Sequence, residues 1–251
     1  MKYKDFSPEI WKKIKSSLAV ARQSNPQVIA AFDADGTLWD TDLGEAFFQY
    51  LIDQKKVPLP PNPWEYYESL KKNDPRVAYL WLAKICKGLS LDKIREWASE
   101  CVQDLKPPIF EAQKNLIQYF LDEGVKIYIV TASVKWAVEP GAHLLGLSNE
   151  NVIGIETFDK DGVITDSQKG DITYREGKVK ALLSVTNHKS PFFCSGNSEG
   201  DQELLALSTH LSLAVSATRP DDKLFRSESQ LLKLAQQKGW ESHRFVDDGT
   251  L

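Results

Sequence analysis

Short, continuous apolar runs recur along this sequence. Three of them cover residues 28–32, 125–130 and 191–194, and a weaker fourth covers residues 211–215. A run of this kind is typical of a strand that is buried on both faces of a sheet. Helical patterns separate the runs, at residues 110–121, 136–145, 177–185 and 201–207. Strands that alternate with helices predict an α/β fold with a parallel sheet.

Two further segments extend this pattern. Residues 8–22 follow Ser7 and carry apolar residues at helical spacing, which predicts an amphipathic helix before the first strand. Residues 151–165 contain two apolar segments on either side of a turn that includes Gly162. This arrangement predicts a β-hairpin.

The first two predicted strands are far apart in the sequence. A crossover between parallel strands needs about a dozen residues, whereas residues 37–124 lie between these two. The intervening stretch contains a proline-rich segment at residues 57–63 and helical patterns at residues 64–72, 76–87 and 91–105. We therefore expect an inserted α-helical cap subdomain at residues 42–107, and an α/β core domain made of residues 1–41 and 108–251.

Composition and charge limit the classes of partner. The chain has 251 residues, a formal net charge of −4 and 42% hydrophobic residues, as in an ordinary globular protein. No excess of basic residues favours nucleic acid, and no apolar run reaches the roughly 18 residues that span a bilayer. We expect no nucleic-acid or membrane partner, and the lack of a signal-peptide pattern favours a cytoplasmic location. The three cysteines have no CxxC spacing, so neither a disulfide framework nor a zinc site is indicated. The oligomeric state is not indicated either.

Polar residues follow the first strand at the edge of the sheet where parallel α/β folds bind ligands. Asp33 comes directly after this strand, and Asp35 is two positions further on, so both side chains can point to the same side. Gly36 allows a sharp turn, and Thr37 adds a hydroxyl where a helix could begin. Two carboxylates at this place suit a metal ion, or a nucleophile with an acid partner, although an acidic turn has the same composition.

The ends of the next strands carry similar residues. Thr131 and Ser133 place hydroxyl groups after the second strand, where they could hold a phosphate oxygen. Lys178 lies at the start of a predicted helix, where its cation could neutralise an anion. Asn197 and Asp201 follow the third strand and offer a neutral oxygen ligand and a further carboxylate. Each residue is a weak signal alone, but the ordered set indicates one site.

The segment Phe32-Asp33-Ala34-Asp35-Gly36-Thr37-Leu38 resembles the first motif of the haloacid dehalogenase superfamily, which is DxDGT after an apolar strand. Thr131 is similar to the second motif of that family, Lys178 to the third, and Gly196-Asn197-Ser198-Glu199-Gly200-Asp201 to the fourth. The resemblance runs from about residue 28 to residue 215. It implies a Rossmann-like parallel sheet core with an inserted α-helical cap. A cap just after the first motif is similar to the phosphoserine-phosphatase-like branch.

The resemblance implies a phosphatase that forms an aspartyl-phosphate. Asp33 would attack the phosphorus, and Asp35 would protonate the leaving alcohol and then activate water. Thr131 and Lys178 would hold the charge on the transferring oxygens. The implied substrate is a small phosphorylated metabolite. Phosphomutases keep both acids and remain an alternative, whereas the dehalogenases resemble a pattern without the second acid.

The resemblance also implies Mg²⁺ as the cofactor. Its ligands would be Asp33, the backbone carbonyl of Asp35, and Asn197 or Asp201. The family usually has Asp where this chain has Asn197, so one negative charge is missing and the metal could bind more weakly. An amide oxygen can still coordinate Mg²⁺, or Asp201 could take over as the direct ligand. The sequence leaves both arrangements open.

Residues after the first motif are expected to face the substrate. Asp42 resembles the acidic residue that phosphoserine phosphatases use for the substrate amine, and Trp39 lies on the segment that joins the motif to the cap. Arg76 could pair with the carboxylate of phosphoserine. A carboxylate beside aromatic rings also suits the quaternary ammonium of phosphocholine. The residues that we assign to substrate binding are Gly36, Thr37, Trp39, Asp42, Arg76, Ala132 and Ser133.

Two other functions stay open. Residues 196–200 also spell the G-x-S-x-G elbow of a serine α/β-hydrolase, with Ser198 followed by Asp221 or Asp222 and then His243. This alternative leaves DxDGT unexplained and has no HGGG-like segment upstream. The other is a non-catalytic fold of the same superfamily that binds a phosphorylated ligand, which an Asn197 in a metal-ligand position would suit.

Overall fold

The computed structural model describes residues 3–247, so residues 1–2 and 248–251, at the ends of the expected core domain, lie outside the described part. The strands are β1 (Ile29–Phe32), β2 (Lys126–Val134), β3 (Val152–Lys160), β4 (Val163–Lys169), β5 (Phe193–Gly196), β6 (Leu211–Ser216) and β7 (Glu241–Arg244). They form one seven-stranded sheet in the order β4-β3-β2-β1-β5-β6-β7. Every neighbouring pair is parallel except β3 and β4, which form the predicted hairpin. The predicted α/β fold with a Rossmann-like parallel sheet is confirmed.

Helices connect most of these strands. They are α1 (Pro8–Ser24), α2 (Leu43–Asp53), α3 (Pro63–Asn73), α4 (Pro75–Lys84), α5 (Leu91–Leu105), α6 (Glu111–Asp122), α7 (Lys135–His143), α8 (Glu176–Val185), α9 (Gln202–Ala206) and α10 (Phe225–Lys238). Within residues 3–247, no helix has the length and apolar character needed to cross a bilayer.

Strand β1 lies at the centre of the sheet and is buried on both faces. Its four residues, Ile-Ala-Ala-Phe, are all buried, as the unbroken apolar run predicts. Phe32 packs on the face covered by α1 and α6, in a cluster that includes Phe120 and Phe193. Ala31 faces the opposite side, where Leu182 of α8 belongs to a separate cluster. Two hydrophobic layers thus hold β1 in place, and they fix the position of the residues that follow it.

The chain between β1 and β2 forms α2 to α6, and α2 to α5 build a second hydrophobic cluster. Phe48 and Tyr67 are among its buried residues, but Trp136 and Ile164 from later in the chain belong to it as well. The hairpin also joins the insertion through the backbone, where the N–H of Gly88 donates to the carbonyl of Ile164 at 2.8 Å. The helical insertion is therefore packed against α7 and the hairpin. The division into residues 1–41 and 108–251 as core and 42–107 as cap stays a prediction.

The sequence prediction missed three elements and ended β2 too early. Helix α2, directly after the first motif, was not predicted, and neither were α10 and β7. Helix α10 buries Glu228, Leu231 and Ala235, so a carboxylate interrupts its apolar stripe and weakens the helical pattern. Strand β2 continues to Val134, four residues past the apolar run, and it includes Thr131 and Ser133.

Candidate active site

The ends of β1, β2 and β5 open into a cavity of about 260 Å³. Phe32 is in register with Ile129 of β2 and with Ser195 of β5, so the residues that follow these positions meet at one edge of the sheet. Of the residues that the sequence assigned to the site, those lining the cavity are Asp33, Asp35, Asp42, Thr131, Ala132, Ser133, Lys178, Asn197 and Asp201. The structure thus brings together all four sequence motifs.

Asp33 and Lys178 form the buried centre of this site. Nζ of Lys178 lies 2.5 Å from Oδ1 of Asp33, and the Thr37 hydroxyl donates to Oδ2 of Asp33 at 2.9 Å. Burial raises the pKa of Asp33 to about 6, and the Asp201 carboxylate adds to this rise while Lys178 opposes it. Burial acts to lower the pKa of Lys178, but Asp201 and Asp33 outweigh it and raise that pKa above its ordinary value. The lysine is therefore held as a cation.

The backbone before Lys178 explains how α8 comes so close. Gly177 packs against the chain at Ile172, and a Cβ at this glycine would lie 1.8 Å from the Ile172 carbonyl oxygen. Any side chain at position 177 would therefore push the start of α8 away. The Gly-Lys pair places the ammonium group at the ends of the strands.

Three donors fix the carboxylate of Asp35. Oδ1 accepts from the Trp39 indole N–H at 2.8 Å and from the Leu43 N–H at 2.9 Å, and Oδ2 accepts from the Ser133 hydroxyl at 2.6 Å. Desolvation in the cleft raises the pKa of Asp35 to about 6, although these three bonds act to lower it. A carboxyl group with such a pKa can both give and take a proton near neutral pH.

Trp39, which the sequence predicted to face the substrate, does not line the cavity. Its side chain is 0% exposed, and a Cβ at Gly141 would lie 2.7 Å from the edge of the ring. The indole is thus enclosed by protein and touches the site only through the hydrogen bond to Asp35. In this structure Trp39 orients the carboxylate of Asp35.

Gly36 and Thr37 shape the site from behind and do not line the cavity. Gly36 has φ +76°, and a Cβ there would lie 2.1 Å from Nδ2 of Asn197. Both the backbone conformation and this close approach require glycine. Thr37 is fully buried and holds the carboxylate of Asp33.

The end of β2 provides the hydroxyl groups that the sequence predicted. Thr131 is 1% exposed, and its hydroxyl oxygen accepts a hydrogen bond from the Ser133 N–H at 3.0 Å. The Thr131 carbonyl accepts from the Thr173 hydroxyl at 2.5 Å, which fixes the strand end. Thr131, Ala132 and Ser133 together line the wall of the cavity, where the Thr131 hydroxyl can donate to an oxygen of an anion.

Asn197 and Asp201 play different parts in the loop after β5. Oδ1 of Asp201 lies 2.5 Å from Nζ of Lys178, while its Oδ2 accepts from the N–H groups of Asn197 and Ser198. Asn197 is 3% exposed and directs its Oδ1 toward the Thr37 hydroxyl, at 3.3 Å. The oxygens of Asp201 are therefore taken up by the protein, whereas Oδ1 of Asn197 has a single long contact.

The oxygen donors at this site are of the type that Mg²⁺ prefers. Within residues 3–247, no three or more histidine, cysteine, aspartate or glutamate side chains are arranged as a metal site. The donor set here combines the carboxylate of Asp33 with the amide oxygen of Asn197. The Thr37 hydroxyl has one proton and lies nearer to Asp33 than to Asn197, so the buried amide oxygen keeps lone pairs for a cation. The residues fit a bound Mg²⁺.

Asp42 lies on the side of the cavity formed by the insertion. Its Oδ1 accepts from the Glu45 N–H at 2.7 Å and caps α2. Although part of the side chain is open to the cleft, desolvation raises the pKa of Asp42, and the carboxylates of Asp35 and Glu45 raise it further. Glu45 is itself paired with Lys71 at 2.7 Å. This wall therefore carries two carboxyl groups together with the Lys71 ammonium.

The structure adds cavity residues that the sequence did not assign to the site. They are mainly aromatic and charged side chains: Glu45, Tyr67, Lys71, Tyr79, Tyr174 and Arg175. Tyr67 and Tyr79 belong to the aromatic-rich insertion, and that enrichment is the signal that could have found them. Lys71 is distant in sequence from every motif, and Tyr174 lies four residues before Lys178, but nothing in the local pattern points to either of them.

Arg76 is not brought into the cavity. Its guanidinium pairs with Asp74 at 3.1 Å, and its side chain is 62% exposed. Asp74 caps the start of α4 and accepts from the Arg76 N–H as well, so the two residues form a local pair at the helix end. The prediction that Arg76 meets a substrate carboxylate is not supported by this placement.

The residues of a serine hydrolase do not assemble either. Ser198 donates its hydroxyl proton to Oδ2 of Asp201 and accepts from the Gly200 N–H, as a cap of the short helix that follows. The ring of His243 packs between those of Phe6 and Phe245, away from the cavity. Without a histidine beside it, Ser198 has no base to activate it.

Comparisons with known proteins agree with this geometry. The profile of the haloacid dehalogenase-like hydrolase family matches residues 30–206. A phosphorylcholine phosphatase from Pseudomonas aeruginosa is 23% identical over an alignment of 217 residues, which covers 69% of this chain and 61% of that protein. A histidinol-phosphatase from Neisseria meningitidis is 27% identical over an alignment of 227 residues, which covers 84% of this chain and 96% of that protein.

A solved structure described as a phospho-aspartyl intermediate analogue of phosphoserine phosphatase shares the fold. It superposes with a TM-score of 0.52 at 13% identity, over 88% of this chain and 95% of that one. This chain thus combines the four motifs with a central β1 and a helical insertion after that strand. The chain belongs to the haloacid dehalogenase-like hydrolases.

Proposed function

We propose that this protein is a Mg²⁺-dependent phosphatase for a small phosphomonoester whose alcohol carries a cationic nitrogen. The observation that carries the proposal is the position of Asp33, 2.5 Å from the Lys178 ammonium, in a cavity that also contains Asp42. A nucleophile with its counter-cation at the strand ends, and a separate carboxyl group on the insertion side of the cavity, suit the two charged groups of such a substrate.

Asp33 and Asp35 divide the chemistry between them. A carboxylate oxygen of Asp33 forms a bond to phosphorus as the bond from phosphorus to the ester oxygen breaks, which leaves an aspartyl-phosphate. Asp35 gives its proton to the departing oxygen and later takes a proton from the water that hydrolyses the aspartyl-phosphate. Trp39 and Ser133 hold Asp35 at a fixed orientation for both transfers.

Charge on the phosphoryl group is held by the same strand ends. The Lys178 ammonium and the groups of Thr131, Ala132 and Ser133 surround the place where the phosphoryl oxygens lie. Bound Mg²⁺ supplies further positive charge there, and Asp33, the Asp35 carbonyl and Asn197 would hold it. Asn197 is favoured over Asp201 as the direct ligand, because the oxygens of Asp201 are already bound to Lys178 and to the loop.

The nitrogen end of the substrate is assigned from the charge and the rings of the cavity. Asp42 and Glu45 place two carboxyl groups on this side of the cavity. The ring centroids of Tyr67 and Tyr79 already lie 5.2 and 5.9 Å from the Lys71 ammonium, so these rings can accept a cation. The relatives named above act on phosphorylcholine and histidinol phosphate, and both esters carry a cationic nitrogen. Phosphocholine and phosphoserine remain the two named candidates, to which the histidinol phosphatase adds a third.

A panel of phosphoesters tests this function. Phosphocholine, phosphoserine, histidinol phosphate and p-nitrophenyl phosphate are each incubated with the protein and Mg²⁺, and released inorganic phosphate is measured. We expect release that EDTA abolishes and added Mg²⁺ restores, with a nitrogen-containing ester preferred. Turnover that survives EDTA contradicts the metal dependence.

The same panel separates the alternatives. Inactivity toward every ester, together with binding of one of them, favours the non-catalytic phospho-ligand protein. Transfer of the phosphoryl group to a second hydroxyl without release of phosphate favours a phosphomutase.

We also propose that residues 42–107 act as the cap over this cavity. The insertion contributes Asp42, Tyr67, Lys71 and Tyr79 to the lining, while the nucleophile comes from the sheet. A substrate held between these two parts would be shielded from bulk water during the reaction.

A further inference from the structure

Helix α10 carries a buried carboxylate that none of the four motifs includes. Glu228 is 1% exposed, and its Oε1 accepts a hydrogen bond from Nδ2 of Asn197 at 2.8 Å. Its Oε2 accepts from the N–H groups of Ala217 and Thr218, each at 3.1 Å, and from the Thr218 hydroxyl at 2.8 Å. All four of these donors are uncharged, so none of them neutralises the carboxylate next to Asn197.

These bonds determine which end of the Asn197 amide faces the site. Because Nδ2 is bound to Glu228, the carbonyl Oδ1 points toward Thr37 and Asp33. A half-turn of the amide would present two N–H donors to the metal site instead, and it would set the carbonyl oxygen against the Glu228 carboxylate. Glu228 therefore disfavours the orientation that would repel a cation.

The first motif supports the amide from its other side. A Cβ on Gly36 would lie 2.1 Å from Nδ2 of Asn197, so the amide nitrogen packs directly on the Gly36 backbone. The space for Asn197 is thus closed by Gly36 and by Glu228. Rotation of this amide requires that one of them move.

We propose that Glu228 is a positioning residue for metal binding, which holds the oxygen of Asn197 toward the cation and supplies the negative charge that the family pattern places at position 197. This inference rests on the proposed Mg²⁺-dependent function. It treats Asn197 and Glu228 as one unit, in which an amide and a carboxylate share a hydrogen bond in the protein interior. A change to only one of these two residues should then weaken Mg²⁺ binding.

The unit makes an unusual prediction for single substitutions. In Glu228→Gln, the new side chain must turn its oxygen toward the N–H groups of Ala217 and Thr218, which leaves its NH₂ group facing the NH₂ group of Asn197. The Asn197 amide then turns over. In Asn197→Asp, two buried carboxylates meet at hydrogen-bond distance, so they either repel each other or bind a proton that the wild-type pair does not need. In the double variant, the new carboxylate at 197 accepts from the new amide at 228.

Calorimetric titration of the full chain with Mg²⁺, without substrate, measures the consequence. We expect Glu228→Gln and Asn197→Asp each to weaken Mg²⁺ binding by about 10-fold or more, and the double variant to return to within about 3-fold of the wild type. Restoring the family's aspartate alone should thus weaken the metal site rather than strengthen it. Glu139→Gln, which alters a carboxylate that is equally buried but belongs to α7, serves as the control and should leave Mg²⁺ affinity unchanged.

A second measurement does not depend on the metal. In ¹⁵N-resolved NMR spectra, the side-chain NH₂ signals of Asn197 are assigned by their loss in Asn197→Asp. We expect one downfield proton from the bond to Glu228, and an upfield shift of that proton in Glu228→Gln. If the wild type binds no Mg²⁺, the proposed function fails, while these signals still decide the orientation of the amide.

Several results would overturn the inference. One is a Mg²⁺ affinity in Glu228→Gln equal to that of the wild type, and another is tighter Mg²⁺ binding in Asn197→Asp with Glu228 intact. The others are no recovery of Mg²⁺ affinity in the double variant, and Asn197 side-chain NMR signals that do not change in Glu228→Gln. If Glu228→Gln does not fold, the comparison of Asn197→Asp with the double variant decides between rescue and its absence. A purely structural role for Glu228 predicts that the double variant binds no better than the weaker single variant.

Discussion

Nζ of Lys178 lies 2.5 Å from Oδ1 of Asp33, with both side chains almost completely enclosed by protein. Asp201 lies at the same distance from this ammonium group, so one cation serves two carboxylates. Breaking such a buried pair from one side normally leaves an uncompensated charge. Here the loss of either carboxylate still leaves Lys178 with a partner, which makes substitution of Asp33 a clean test of chemistry.

Asp33→Asn should abolish phosphate release while the protein stays folded. An amide cannot form the aspartyl-phosphate, so we expect a loss of about 10⁴-fold or more in turnover of the best ester in the panel. The thermal midpoint should stay within about 5 °C of the wild type, because Asp201 still neutralises Lys178. Steady-state phosphate release and thermal unfolding measure the two effects. Turnover within 10-fold of the wild type would refute the nucleophile assignment.

The sequence was sufficient to predict those site residues whose positions are set by the ends of the strands. Asp33, Thr131 and Lys178 were predicted because buried apolar strands end at a common edge and because their motifs keep the same order along the chain. The parallel sheet and its hairpin were predictable for the same reason, since continuous apolar runs and a glycine turn are local signals.

The rest of the site depends on packing that no local pattern encodes. Trp39 was placed toward the substrate because it lies beside the first motif, but its ring is buried and it acts on Asp35 through one N–H group. Glu228 interrupts an apolar stripe, so the helix that carries it was not predicted. Its hydrogen bond to Asn197 could therefore not be predicted either. Packing against a residue distant in sequence decided both cases, Gly141 for Trp39 and Asn197 for Glu228.

Gly36→Ala should damage the metal site as well as the fold. A side chain at φ +76° costs about 1–2 kcal/mol in backbone strain, and the new methyl group would also press on Nδ2 of Asn197. Gly124→Ala is the matched control, because Gly124 has φ +69° and no atom within 4 Å of its would-be Cβ. We expect similar losses of stability from strain, but a fall in Mg²⁺ affinity only in Gly36→Ala. Equal Mg²⁺ affinity in the two variants would show that Gly36 makes no contribution beyond its backbone angle.

Arg95→Met should destabilise the contact between the insertion and the core. Arg95 of α5 binds Glu139 of α7 through two hydrogen bonds, at 2.7 and 2.9 Å, and Glu139 is 1% exposed. Removing the guanidinium leaves a buried carboxylate without its partner, a change that costs roughly 3–5 kcal/mol in fully buried pairs. Since water can reach the Arg95 side, we expect a loss of about 2 kcal/mol in the free energy of unfolding.

Urea denaturation measures this loss, and the double variant with Glu139→Gln should recover part of it. An Arg95→Met protein as stable as the wild type would mean that this pair does not hold the insertion.

Asp42→Asn should change substrate preference without changing the chemistry. Asparagine is also a good helix cap, so the bond from the Glu45 N–H and the start of α2 are kept. Loss of the charge should raise the KM for phosphocholine by about 10-fold and leave the KM for p-nitrophenyl phosphate nearly unchanged, because only the first ester carries a cation.

The wild type should also show a pH dependence of the KM for phosphocholine that Asp42→Asn lacks. Desolvation and the carboxylates of Asp35 and Glu45 raise the pKa of Asp42 to about 8. A group with a raised pKa loses its proton only as the pH rises through that value, so the wild-type KM for phosphocholine should fall between about pH 7 and about pH 9. Both comparisons come from initial rates with the two esters across this range, and an equal rise in KM for both esters would place Asp42 at the phosphate rather than at the nitrogen.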